Sequence, residues 1–134
     1  MLKRLIVVAT AAIAMAIAVQ ASKARDVGQW EQTDPAIREW YRSLKQPDNP
    51  GISCCGESDA YWADETVVED GKVYAIITDT RPDEPLSRPH IPPGTKVEIP
   101  PHKMTFRHGN PTGHKIIFLG PNLHVYCFVD NGGV

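Results

Sequence analysis

The sequence predicts an α+β protein in which one N-terminal amphipathic helix is followed by a small antiparallel β-barrel or curled sheet of five to six strands. Three observations lead to this prediction. Apolar residues recur at helical spacing between Asp34 and Pro47. From Thr66 onward, β-branched and aromatic runs alternate with Gly, Pro and Asn turns. The three cysteines are expected to tie the fold with one disulfide, because the chain carries an export signal.

Residues 1–21 are predicted to be a secretory signal peptide. Lys3 and Arg4 form a basic start, an apolar core runs from Leu5 to Val19, and Val19-Gln20-Ala21 fits a cleavage site. The apolar core is shorter than the ~20 residues that a membrane-spanning helix needs, so no stable membrane anchor is expected. Residues 22–134 are then expected to form a single secreted domain, located in the periplasm or outside the cell.

The charge of the chain argues against nucleic acid as a partner. The net charge is −2, from 14 basic and 16 acidic residues, and removal of Lys3 and Arg4 makes the secreted domain more acidic. Affinity for nucleic acid depends on clustered Lys and Arg. The expected partner is therefore a protein or a small-molecule ligand, and no sequence motif predicts a cofactor.

The helix is defined by its start, its stripe and its end. Asp34 is a good N-cap, and Pro35 suits the first turn because its missing N–H costs nothing there. Pro47 ends the run. The apolar stripe follows at i, i+3, i+4 and i+7, and we expect it to pack in the core: Ile37, Trp40, Tyr41 and Leu44.

The strands follow from hairpin signals. Asp70-Gly71 joins two β-branched runs, 66–69 and 72–78, which predicts a tight hairpin. Residues 80–93 contain five prolines and several charges, so we expect a long surface loop and a place for binding or mobility. Further strands are predicted at 95–99, 104–107, 115–119 and 123–129. In the last of these, Leu123, Val125, Cys127 and Val129 are expected to share one face.

The cysteines are expected to form a bridge between Cys55 and Cys127. If the segment is extended, neighbouring side chains point to opposite faces, so only one of Cys54 and Cys55 can face Cys127. Cys55 is favoured because Gly56 gives the backbone freedom to approach the last strand. The remaining thiol then has three open roles: a buried inert group, a link in a disulfide-bonded dimer, or a reactive group.

Two chemical alternatives use the same residues. A copper or zinc site would draw on Cys54, Cys55, His108 and His114, although their spacing matches no compact metal motif. A cysteine-dependent hydrolase would use Cys55 as nucleophile and His114 as base. The acids Glu57, Asp59, Asp64 and Glu65 are expected to lie on a solvated surface rather than to act in catalysis.

A polar loop late in the chain is a candidate binding segment. Asn110, Thr112 and His114 lie in a turn-rich stretch, where turn formation alone also accounts for the Asn, Pro, Thr and Gly.

The chain resembles a family of small exported proteobacterial proteins with no settled function. The resemblance implies secretion and a shared fold, and it implies no chemistry. It covers most of the secreted domain and is carried by Glu39-Trp40-Tyr41, Ser53-Cys54-Cys55-Gly56 with Asp59-Ala60, Ile99-Pro100, Asn110-Pro111-Thr112-Gly113-His114 and Val125-Tyr126-Cys127-Phe128. Taken with the residues themselves, it favours a binding or structural protein of the periplasm over an enzyme.

Overall fold

A computed structural model describes residues 34–106 and 109–131, apart from the side chains of Glu57 and Phe106. The predicted signal peptide over 1–21 and the candidate ligand His108 lie outside the described residues. The described part is an α+β fold with one α-helix, α1 (Pro35–Ser43), and nine strands. In chain order the strands are β1 (Lys45–Gln46), β2 (Asn49–Ser53), β3 (Ala60–Trp62), β4 (Glu65–Glu69), β5 (Lys72–Ile76), β6 (Lys96–Glu98), β7 (Met104–Phe106), β8 (Ile116–Leu119) and β9 (Val125–Asp130).

The strands form three sheets. β1 and β2 make a short hairpin, and β4, β5 and β6 make an antiparallel sheet in that order. The largest sheet has the order β3-β8-β9-β7, in which β7 runs parallel to β9 and the other neighbours are antiparallel. All residues of β8 are buried, because both faces of this central strand are covered.

The core has two halves, one on each face of the four-stranded sheet. The first half lies between this sheet and the three-stranded sheet and contains Tyr61, Ala63, Ala75, Ile77, Val97, Ile99, Ile117, Leu119, Val125 and Phe128. The second half lies under α1 and the β1–β2 hairpin and contains Tyr41, Leu44, Cys54, Ala60, Ile116, Phe118, Cys127 and Val129.

Local sequence explains the helix. The Asp34 carboxylate accepts a hydrogen bond from the backbone N–H of Ala36 (2.8 Å), and Pro35 occupies the first turn. Tyr41 is buried with its ring edge-on to that of Phe118, the centroids being 6.0 Å apart. Tyr41 and Leu44 therefore pack in the core, as the sequence predicts, and Ile37 and Trp40 pack partly buried against them.

The predicted end of the helix at Pro47 is wrong. The helix ends at Ser43, because Leu44 is extended and the next two residues pair with β2.

The hairpin predicted at Asp70-Gly71 is also confirmed. β4 and β5 pair from Glu65 and Ile76 to Glu69 and Lys72. Asp70 (φ 51°) and Gly71 (φ 74°) both have positive φ, as a tight turn that matches the twist of the strands requires.

The predicted strand count and the predicted barrel are wrong. The described residues form nine strands rather than five or six, one pair is parallel, and the sheets do not close into a barrel. The missed strands β1, β2 and β3 have two, five and three residues. Segments this short carry too little periodicity to be recognised, and β2 contains Pro50 and Gly51, which the sequence assigns to a turn.

The predicted face of Val125 is wrong as well. The register between β8 and β9 shifts at Phe118 and Leu119, so that Leu119 pairs with Val125 while Phe118 pairs with Cys127. This bulge places an extra residue in β9. As a result, Val125 packs in the first half of the core, whereas Cys127 and Val129 pack in the second. Leu123, also predicted on the face of Cys127, lies in a 3₁₀ turn before β9 and is exposed.

The disulfide joins Cys54 to Cys127, so the predicted bridge from Cys55 is wrong. Cys54 is fully buried, and its backbone N–H donates to the Leu44 carbonyl (3.1 Å), which holds its side chain toward β9. The chain turns at Cys55 itself, whose φ is 78°, rather than at Gly56. The expectation that only one of the two neighbours faces Cys127 holds, but the position of the turn selects Cys54.

We predict that Cys54→Ser lowers the free energy of unfolding of the oxidised protein by about 4 kcal/mol, because the bridge closes a loop with a sequence separation of 73. Cys55→Ser is the matched control and should change it by less than about 1 kcal/mol. Urea unfolding of both variants, with peptide mapping of the unreduced protein, checks this. Retained stability in Cys54→Ser would mean that Cys55 can replace Cys54 in the bridge.

Candidate functional site

A buried carboxylate, Asp79, lies beside the edge strand β3. Its side chain is 0% exposed. Oδ1 accepts the backbone N–H and Nε–H of Arg81, both at 3.0 Å. Oδ2 accepts the backbone N–H of Trp62 (3.1 Å), Nη2 of Arg81 (2.7 Å) and Nη1 of Arg88 (2.8 Å). Both oxygens are therefore saturated by donors, as a buried charge requires.

Arg88 is the buried cation of the same group. Its side chain is 1% exposed, its guanidinium lies over the ring of Tyr61 (4.5 Å), and its Nε–H donates to Asp83 (2.8 Å). It also donates to the carbonyls of Ala60 (2.9 Å) and Arg81 (3.3 Å). We call Asp79, Arg81, Asp83 and Arg88 the Asp79–Arg88 network. It fastens the long loop to the sheet.

The network keeps its acids ionised. Burial works to raise the pKa of Asp79, but hydrogen bonds from Arg81, Arg88 and two backbone N–H groups outweigh it and hold the pKa far below its usual range. Partial burial works to raise the pKa of Asp83 as well, and hydrogen bonds from His90 and Arg88 lower it. Burial works to lower the pKa of Arg88, whereas its bonds to the two carboxylates raise it.

Three planar side chains meet at the surface above this network. The imidazole of His114 stacks on the indole of Trp62, with centroids 3.8 Å apart and planes 9° from parallel. The Arg81 guanidinium lies 4.2 Å from the Trp62 ring centroid, in a cation–π contact. Trp62 is half-buried, the side chain of Arg81 is 25% exposed and that of His114 is 32% exposed. We call Trp62, Arg81, His114 and Asp64 the Trp62 cluster.

Asp64 fixes the orientation of the imidazole. Its Oδ2 lies 2.9 Å from Nδ1 of His114 and accepts the Thr78 hydroxyl (3.2 Å), while Oδ1 accepts the backbone N–H of Lys115 (2.9 Å). This is the arrangement by which a carboxylate sets the ring orientation of a histidine. Nε2 of His114 is left for a ligand or a substrate.

The predicted binding residues Asn110, Thr112 and His114 are brought together. The Asn110 amide donates to the His114 carbonyl (2.8 Å) and accepts from the Thr112 backbone and hydroxyl (3.0 and 2.7 Å). The Thr112 hydroxyl accepts the His114 backbone N–H (3.2 Å). Asn110 and Thr112 therefore build the turn that carries His114, and of the three only His114 presents its side chain to the Trp62 cluster.

A cleft opens on the other side of Arg81. It has a volume of about 200 Å³ and is lined by Asp79, Thr80, Arg81, Asp83, His90, Ile91 and Pro93. We call it the loop cleft, because all seven residues belong to the loop after β5. Nδ1 of His90 lies 2.6 Å from Oδ2 of Asp83, and the His90 side chain is 68% exposed.

The chemical alternatives are only partly covered by the described residues, because the candidate ligand His108 lies outside them. Cys54 is in the disulfide and cannot serve as a thiolate ligand in that state. Within the described ranges, no three His, Cys, Asp or Glu side chains are grouped to hold a metal ion. His114 pairs with Asp64 and stacks on Trp62, and the thiol of Cys55 is not among these contacts. A role of Cys55 in a disulfide-linked dimer stays a prediction.

The acids predicted to lie on a solvated surface differ in their exposure. Asp59 is buried, which contradicts the expected solvated surface, whereas Glu65 is exposed as expected. Asp64 is only partly solvated, because it pairs with His114.

Most of the site residues escape the sequence analysis, although the loop that carries them does not. The stretch 80–93 is predicted as a place for binding, but Trp62, Arg81 and His90 are not singled out. The available signal is charge alternation, with acids and arginines following each other at short spacing: Asp79, Arg81, Asp83 and Arg88. Opposite charges at such spacing can pair when a loop packs inward.

The fold and the site define a small disulfide-bonded α+β protein with an ion-paired aromatic surface. Comparisons with protein-family models, with curated proteins and with solved structures find no match to this chain. The resemblance to a family of exported proteins therefore stays a prediction. Within residues 34–106 and 109–131, no helix has the length and apolar character that spanning a bilayer requires.

We predict that Asp79→Asn lowers the free energy of unfolding at pH 7 by about 3–5 kcal/mol, since it leaves Arg88 buried without its main partner. The unfolded-state pKa of Asp is about 3.9. Because the folded-state pKa is lower, the contribution of Asp79 is complete well above pH 4 and declines as the pH falls.

Urea unfolding at pH 7 and pH 3 measures this contribution. The difference between the wild type and Asp79→Asn should shrink by about 1 kcal/mol at pH 3. Asp70→Asn, in the exposed hairpin turn, is the control and should stay within about 0.5 kcal/mol of the wild type at both pH values. A difference that does not change with pH would contradict the depressed pKa.

Proposed function

We propose that this chain is an exported binding protein of the periplasm that recognises a small-molecule ligand at the Trp62 cluster. The observation that carries the proposal is the stack of the Trp62 indole with the His114 imidazole and the Arg81 guanidinium. The imidazole and the guanidinium are each paired with a carboxylate, and both are partly open to solvent. Aromatic and guanidinium groups are the side chains that most often anchor binding.

The site is rigid before any ligand arrives. Arg81 is fixed by a two-pronged pair with Asp79, and His114 is fixed by Asp64 and by the turn built from Asn110 and Thr112. Immobilising a flexible side chain costs about 0.5–1.5 kcal/mol on binding. Because Arg81 and His114 are already held in the free protein, a ligand would not have to immobilise them, and this supports a role in recognition.

The bridge and the predicted signal peptide both support the proposed compartment. A disulfide between Cys54 and Cys127 suits an oxidising compartment, and the predicted signal peptide over 1–21 leads there. This supports a periplasmic or secreted location.

Binding is favoured over hydrolysis. The Asp64–His114 pair has the form of an oriented general base, but a cysteine hydrolase also needs a thiol in hydrogen-bond reach of the imidazole. Among the described residues, the imidazole of His114 has Asp64 as its hydrogen-bond partner and Trp62 as its stacking partner.

We predict that pools of small molecules, such as organic acids, sugars, amino acids and nucleotides, contain a ligand that shifts the amide and indole NMR signals of Trp62, Arg81 and His114. Trp62→Phe should weaken its binding at least tenfold, because the platform under the two planar groups shrinks. Trp40→Phe is the matched control, since its half-buried indole belongs to α1, outside the Trp62 cluster.

Titration by NMR, with urea unfolding to verify the fold of both variants, gives the comparison. The proposal fails if no pool shifts these signals, or if Trp40→Phe weakens binding as much as Trp62→Phe.

A further inference from the structure

We infer that the loop cleft is a subsite for a carboxylate, so that the ligand of this protein is a small carboxylic acid with a short apolar tail. The inference rests on the proposed function and adds the ligand class. Arg81 belongs to both the Trp62 cluster and the loop cleft, which makes the cleft an extension of the same site.

The two carboxylates that line the loop cleft already have partners. Asp79 is fully buried and takes five hydrogen bonds on its two oxygens. Asp83 uses Oδ1 for Arg88 and Oδ2 for His90. Both acids are thus neutralised by cations, so the cleft does not present a free negative charge to a ligand.

Arg81 still has N–H groups that Asp79 does not use. A guanidinium has five N–H groups in one plane, and Asp79 takes only those on one edge of Arg81, from Nε and Nη2. The second edge, formed by Nη1 and the other N–H of Nη2, has the spacing that binds a carboxylate in two-pronged fashion. The indole of Trp62 covers one face of the guanidinium, and the second edge remains for a ligand.

Neighbouring side chains suit the same ligand. Thr80 is exposed and its hydroxyl can donate, and His90 adds a ring nitrogen, Nε2, which donates when the imidazole is charged. Ile91 and Pro93 supply apolar wall. The free edge of Arg81 and the Thr80 hydroxyl favour an anionic group, and the apolar wall favours a hydrocarbon tail.

The volume limits the size of the ligand. About 200 Å³ corresponds to the space of roughly six or seven water molecules at ~30 Å³ each. This accommodates a short aliphatic acid or a single aromatic ring with its carboxylate. A nucleotide or an oligosaccharide is larger than this space and would extend out of the cleft.

The test compares acids with their neutral isosteres. The probes are butyrate and benzoate, each matched with its amide, titrated into the oxidised wild-type protein and followed by NMR. We expect the acids to bind at least tenfold more tightly than butyramide and benzamide, with shifts concentrated in residues 79–93.

Variants assign the interaction to the loop cleft. Arg81→Lys keeps the charge and loses the planar edge, so we expect at least a tenfold loss of benzoate affinity. His90→Gln and Thr80→Val should each weaken binding several-fold, and they keep the test decisive if Arg81→Lys fails to fold. His102→Gln is the matched control, because His102 is also an exposed histidine near an aspartate, Asp48, outside the cleft.

The inference is overturned if the amides bind as tightly as the acids, if neither binds, or if His90→Gln and Thr80→Val behave like His102→Gln. A neutral ligand that binds at the Trp62 cluster and is lost in Trp62→Phe would refute the carboxylate subsite and leave the proposed function standing. Absence of any ligand in the pools described above would refute both.

Discussion

The pairing of the buried Asp79 carboxylate with two arginines is the interaction on which the described site depends. One charge receives donors from β3, from the loop and from both guanidinium groups. Through Arg88 it reaches the carbonyl of Ala60, at the start of β3, and Asp83, at the far side of the loop. Without these contacts, few interactions would fix the position of the fourteen-residue segment 80–93, which contains no strand. Removing Asp79 would leave Arg88 buried with Asp83 as its remaining carboxylate partner, and a buried charge that loses part of its compensation destabilises the fold.

The same pairing closes an open sheet edge. β3 is an edge strand of the four-stranded sheet, and its outer N–H and C=O groups would remain available for association with another chain. The Trp62 N–H is taken by Asp79, and the Trp62 carbonyl accepts the N–H of Thr78 (2.9 Å). The end of the strand is thereby protected and fixed. Trp62 can then present its indole at the surface without leaving its backbone open to pairing.

The sequence predicts those parts of the fold that depend on local pattern. The capped helix at Asp34 and the turn at Asp70-Gly71 follow from residues that act on their immediate neighbours, and both are found where expected. The missed features depend on distant contacts. The choice of Cys54 over Cys55 is set by the bond of Cys54 to the Leu44 carbonyl and by the turn at Cys55. No local preference of either cysteine carries that information.

The residues of the candidate site also fall into those that local sequence predicts and those that depend on distant contacts. His114 is predicted because its loop has a recognisable turn composition, and Asn110 and Thr112 act as turn builders. Its partners Asp64 and Trp62 come from fifty residues earlier, so no pattern around His114 could indicate them. A loop can be recognised as a binding segment from its composition, whereas the side chains that face one another across it cannot.

Stability and recognition are therefore linked through one side chain, Arg81. Its first edge holds Asp79 and so contributes to the fold, while its second edge and its stacking on Trp62 remain for a ligand. Asp79 does not depend on Arg81 alone, because Arg88 and the Trp62 backbone also donate to it. A ligand can engage the second edge without withdrawing the guanidinium from the buried carboxylate. Binding then adds to the free energy of unfolding by mass action instead of weakening the network that holds the loop.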